Sequence, residues 1–174
     1  MSYKDFKLDF VTRTLKIVSG YQQEYEVTLL TNCLLGLIVL PKEKDFETIE
    51  ATPLKKLGED WGLKPTHIEL LKSGSGHTEL DRDAVTLRDV VKHLRHAVAH
   101  VGIEIKGDGR DIKYVQFENK NDNGDVIFRA LIPSKVLRTF AIKLGTWYKT
   151  QLEGTAEIME SQNLSGASQP KKQQ

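Results

Sequence analysis

A chain of 174 residues with 39% hydrophobic content carries enough apolar material for one core, and its length favours a single domain. Lys and Arg number 25 against 24 Asp and Glu, a formal net charge of +1, so no global field draws in nucleic acid or membrane and an anionic partner has to be met by a local patch. Cys33 is the single cysteine, which excludes an internal disulfide and a cysteine-built zinc cage and fits a reducing, cytoplasmic compartment.

Residues Met1 to Asp9 alternate charged and aromatic side chains and lack the apolar run of a secretory signal, so export is not expected. From Tyr3 to Val18 the residues Phe6, Phe10, Val11, Leu15 and Val18 recur near helical spacing, and Gly20 follows where a helix would stop. A second helix is expected from about Gln22 to Leu40, with Val27, Leu30, Leu34, Leu37 and Ile38 on one side and Pro41 closing it. Its second half is apolar nearly all round, yet shorter than the roughly 20 residues a membrane span needs. Burial or a subunit interface is the expected use of that surface.

Between Pro41 and Asp83 the pattern is broken by Pro53, Gly58, Gly62, Pro65 and the run Ser73-Gly74-Ser75-Gly76. This reads as a long connection with one short helix near Thr66 to Lys72. The Gly-rich run ends in His77 without the lysine of a phosphate loop, so it reads as a flexible loop, a candidate lid. Thr86 followed by Asp89 resembles a capping box with Asp in place of the preferred Glu or Gln. Leu87, Val90, Val91, Leu94, Ala97, Val98 and Val101 then follow at helical spacing, which predicts a third helix over about Leu87 to Val101.

After Gly102 the period changes to two, through Ile103 and Ile105, then Ile112 to Glu118, then Asp125 to Leu131, with Asn121 to Gly124 as turn material. A β-hairpin is expected here. Ser134 can cap a last helix carrying Val136, Leu137, Phe140, Ala141, Leu144, Trp147 and Tyr148. The apolar period fades near Gly154, which sets the expected division into a domain over 1–153 and a disordered polar tail over 154–174. The architecture predicted is mainly α, a bundle of about four to five helices with a small β-hairpin inserted before the last one.

Three of the five histidines, His93, His96 and His100, lie on the third helix at intervals of three and four. At ~100° per residue they fall within about 60° of one another. Arg95 stands between Leu94 and His96, and Arg88 lies two turns earlier on Arg95's own face. A cation that keeps its proton thus stands near groups of a type that titrates around neutrality. These are the parts that RNA cleavage by the ribose 2′-hydroxyl requires: imidazoles to take and return a proton, and a guanidinium to neutralise charge on the phosphorus-centred transition state.

The segment Arg95-His96-Ala97-Val98-Ala99-His100 resembles the motif of the HEPN superfamily, in which Arg, a polar residue (Asn, Asp or His), a short spacer and a His lie near the end of a helix. Over roughly residues 3 to 150, with an Asn-bearing apolar second helix and the motif helix in third place, the chain is similar to a plasmid-borne HEPN nuclease family. The resemblance implies a HEPN-like helical bundle and a metal-independent endoribonuclease needing no cofactor, a toxin or phage-defence effector. Arg95 and His100 are then catalytic, with His96 their polar helper. Arg88 and His93 are the further candidates for binding substrate. It also implies a homodimer, here expected through the second and third helices, in which two motif helices build one composite site. A nucleotidyltransferase antitoxin is the partner such proteins are often paired with.

Other readings of the same residues stay open. Arg88 and Arg95 can be an ion-paired or solvated face and the histidines mere surface residues, or the domain can bind RNA or a nucleotide without cutting it. His96 and His100 also have the spacing of a helical zinc pair, with His93 or Asp89 as third ligand, but Ala97 stands where a His-Glu-x-x-His protease carries its Glu. Cys33 among Leu30, Leu34 and Leu35 reads as a buried thiol, and Trp61, Trp147 and Tyr148 read as core.

Overall fold

A computed structural model describes residues 6–21, 26–41, 48–49, 51–57, 60–72, 78–108 and 111–166, with backbone alone for 26–27 and 156–166. The elements run α1 (Phe6–Gly20), α2 (Glu26–Val39), a single turn α3 (Leu54–Leu57), β1 (Ile68–Leu71), α4 (Leu87–Ala99), β2 (Ile103–Gly107), β3 (Ile112–Lys120), β4 (Val126–Pro133) and α5 (Ser134–Gly166). The Ser73–His77 run and Val27's side chain lie outside the described residues. Among those described, no helix is long and apolar enough to cross a membrane.

Helices α1, α2 and α5 pack on one another, α2 also packs on α4, and α4 lies on β3. Val11 and Val18 of α1, Leu30, Leu34, Leu37 and Ile38 of α2, and Leu137, Phe140 and Leu144 of α5 meet in one core, each at most 2% exposed. Burying a side chain of this size is worth about 1.5–3 kcal/mol, so α2 spends most of its apolar circumference inside its own chain. Gly145 lets α5 approach α1 closely, since a Cβ there would come to 2.8 Å from Leu15. Trp61 packs against Phe140, and Trp147 and Tyr148 join the core as their spacing predicts.

The C-terminal carbonyls of α1 and α2 are served by arginines from other helices. Neither helix has a basic residue in its last turn, so the carbonyls there need outside donors. Arg138 of α5 donates to Val18 O at 2.8 Å and to Tyr21 O. Arg95 of α4 plays the same part for α2.

The sheet corrects two expectations. The predicted hairpin, β3–β4, is the centre of a four-stranded antiparallel sheet in the order β1-β4-β3-β2. Its outer strand β1 forms where a short helix was expected, because Ile68 and Leu71 are buried against Ala130 and Phe128 of β4 rather than stacked on a helical face. A 3-10 turn over Pro65–His67 leads into it. The connection from 41 to 83 is thus built into the core at Ile49, Leu54, Leu63, Ile68 and Leu71. At the other end, α5 stays helical to Gly166, past residue 154 where the sequence-based boundary falls.

Register places residues of one sheet face in cross-strand rows, of which only Ile105 at the edge is exposed: Ile105, Val115 and Ile132; then Ile103, Phe117, Ala130 and Ile68; then Asn119, Phe128 and Leu71. The last row holds a polar residue, Asn119, only 7% exposed. That row lies under the histidines.

Candidate functional site

Helix α4 starts at a complete capping box. Thr86 Oγ1 accepts from Asp89 N at 3.2 Å and Thr86 N donates to Asp89 Oδ2 at 3.1 Å, so the shorter Asp does the work of Glu. Leu87, Val90, Val91, Leu94 and Ala97 form its buried stripe. The other end closes with His100 as C-cap: Val101 N donates to Val98 O at 3.2 Å and Gly102 N to Ala97 O at 2.7 Å. This is the Schellman pattern, but the left-handed position, φ 57°, is held by the β-branched Val101 instead of glycine. Gly102 must be glycine for another reason: a Cβ would stand 2.0 Å from Glu118 O, because Gly102 O takes the Glu118 N–H at 2.8 Å. The end of the helix is therefore pinned to β3, and His100 with it.

The two flanks of the buried stripe face different neighbours. On one, Arg88 donates through Nε and Nη2 to Ile49 O at 2.8 and 2.6 Å. One helical face along, Arg95 Nη1 reaches Ile38 O at 3.1 Å, Val39 O at 3.3 Å and Pro41 O. On the other flank, Asp89, Lys92, His93, His96 and His100 line a cleft of about 530 Å³. Its opposite wall includes Lys72 beside β1, Ile127 of β4, and residues Asn119 to Asp122 where β3 turns. Of the predicted site residues, the structure gathers His93, His96 and His100 and sets Arg88 and Arg95 apart from them.

His93 is the deepest. Its ring stacks on Phe128 with centroids 4.9 Å apart and planes at 10°, and Asn119 Nδ2 donates to its Nδ1 at 3.1 Å. That bond puts the ring proton on Nε2. Burial first, then the charges of His96 and Lys92, push its pKa down to about 4 against the opposing pull of Asp89, so the ring is neutral at pH 7. His96 and His100 stand at the rim with rings parallel to within 2° and centroids 6.5 Å apart. Among the described residues no three His, Cys, Asp or Glu side chains converge as a metal-ligand set.

A second cleft, about 410 Å³, adjoins the first and is lined by Val101, Gly102, Glu118 and the same His100, Lys120, Asn121 and Asp122. His100 and Lys120 thus stand on the divide. Asn121 shapes the turn behind it by accepting Asn123 N and Asp125 N at 3.1 and 2.9 Å. Glu118 is doubly bonded by Arg129 at 3.0 and 2.8 Å, which holds its carboxyl below the usual range, and Lys120 Nζ lies 3.5 Å from its other oxygen.

Sequence reasoning missed Lys72, Lys92, Asn119 and Lys120. For Asn119 a signal existed: an amide at an inward slot of a period-two strand needs a buried partner. The lysines carry no such mark, because only the fold brings them to one cleft. Cys33 is half-buried, and burial pushes its thiol pKa up, as befits a packing residue.

The family model described as HEPN pEK499 p136 matches residues 1–154, and the chain belongs to that family. No curated protein and no solved structure matches it.

Proposed function

We propose that this HEPN protein is an endoribonuclease that cuts RNA by attack of the ribose 2′-hydroxyl without a metal ion, in the setting of a toxin or phage-defence effector. The observation that supports it is the pair His96 and His100, parallel at the rim of a cleft with Lys72, Lys92 and Lys120 in its wall. One imidazole takes the 2′-OH proton as O2′ bonds to phosphorus; the other, as imidazolium, returns a proton to O5′ as the P–O5′ bond breaks. The products are a 2′,3′-cyclic phosphate and a 5′-hydroxyl. His93, neutral and fixed by Asn119, suits hydrogen bonding to substrate better than proton transfer at pH 7. In the same reading the active species is a homodimer whose motif helices meet.

One observation favours a second reading, an RNA- or nucleotide-binding module acting as a regulator. The motif arginine, Arg95, is engaged on backbone carbonyls of the α2 end. A single set of assays separates the two. Cutting of single-stranded and transfer RNA is expected to persist in EDTA, to stop when one deoxyribose replaces the ribose at a mapped cleavage site, and to fall about 10²–10⁴-fold in His100→Ala with its melting temperature kept. Loss of cutting in EDTA with rescue by zinc makes the histidines a metal site. Binding without cutting under every condition establishes the module, and a monomer mass by light scattering with full activity removes the dimer.

A further inference from the structure

The phosphates of an RNA strand need cations on the side where the histidines are, and the arginines of the motif helix are on the other. Arg95 serves α2 as Arg138, outside the motif, serves α1: each brings a guanidinium to the carbonyls at a helix end that lacks its own basic residue. Lys72 and Lys92, by contrast, line the large cleft and form no ion pair among the described residues. Lys120 shares Glu118 with Arg129, and the three together keep a net positive charge at the divide. Against these stand two carboxylates of the cleft: Asp89, turned back to Thr86 N and Oγ1 at 3.1 and 2.6 Å, and Asp122.

Both clefts fall within the range that takes a small ligand, and they meet at His100 and Lys120. A single strand laid across that divide puts one nucleotide in each cleft and the phosphate between them beside His100. We propose that Lys120 grips this phosphate and that Lys72 and Lys92 hold the strand in the larger cleft. The assignment rests on the cleft being the RNA site, and it names an extended single strand as the substrate.

A short oligodeoxyuridylate, which lacks the 2′-hydroxyl and so cannot be cut, tests the grip apart from the chemistry. Its affinity is measured at several salt concentrations. For single strands each phosphate neutralised contributes about 0.7 to the slope of log K against log salt. Lys92→Gln and Lys120→Gln are each expected to lower the slope by about 0.7, and K72Q/K92Q/K120Q by about 2, with unchanged melting. Arg95→Lys is expected to melt at lower temperature, since a single ammonium does not replace the guanidinium at the carbonyls of α2. The proposal falls if the triple variant keeps the wild-type slope, or if the wild type binds with no salt dependence or not at all. Binding that follows the lysines in a protein that never cuts RNA leaves the grip standing and removes the nuclease. Cutting by a protein indifferent to the lysines does the reverse.

Discussion

The two flanks of α4 come from one helical repeat and are put to opposite uses. On the arginine flank the side chains end on main-chain carbonyls, Ile49 O for Arg88 and Ile38 O and Val39 O for Arg95. Of the three histidines on the other flank, only His93 has a side-chain hydrogen bond to a protein partner among the described residues, and His96 and His100 face a cleft. Successive residues on a helix point about 100° apart, so whether Arg95 and His96 serve one ligand depends on what lies on each side.

The largest effect is expected from Arg95→Ala. It leaves the carbonyls at the end of α2 without their charged donor, a loss of about 3 kcal/mol judged from hydrogen bonds to charged groups. For a chain of this size that lowers the melting temperature by roughly 5–10 °C. Calorimetry showing no change would erase the structural meaning of the arginine flank.

A smaller effect tests the other flank. His93 has its pKa lowered from 6.5 to about 4 on folding, so between those values the unfolded chain binds a proton that the folded chain refuses. Stability is then present above pH 6.5 and is lost as pH falls toward 4, by about 2 kcal/mol between pH 7 and pH 5. His93→Phe, which keeps a ring against Phe128, is expected to flatten that dependence in urea titrations. An unchanged pH slope would mean that His93 is not the buried neutral ring described.

The smallest effect lies where the flanks end. Val101 is 84% exposed and left-handed, so Val101→Gly removes backbone strain and no packing. A gain of about 1 kcal/mol is expected, the relief of strain less the entropy that glycine adds to the unfolded chain. A lower denaturation midpoint would show that Val101 makes contacts worth more than its strain.

Local chemistry was legible in the sequence wherever the partners are neighbours in the chain. Thr86 and Asp89 declared the start of α4, the alternation after Gly102 declared a β-hairpin, and Asn121 to Gly124 declared its turn. The stripe of His93, His96 and His100 followed from the helical period alone, while the resemblance carried by the segment Arg95 to His100 was borne out by family membership. Tertiary structure decided the rest. Ile68 to Leu71 is too short an apolar run for periodicity to tell strand from helix, and only pairing with β4 made it β1. Asn119 looked like a strand residue until register set it beneath His93. Arg95 could be read as a member of a motif but not as a donor to carbonyls more than fifty positions earlier in the chain, nor could Lys72, Lys92 and Lys120 be read as neighbours. Periodicity and capping depend on residues within a turn or two, whereas the direction in which a long charged side chain finds its partner depends on where distant helices end.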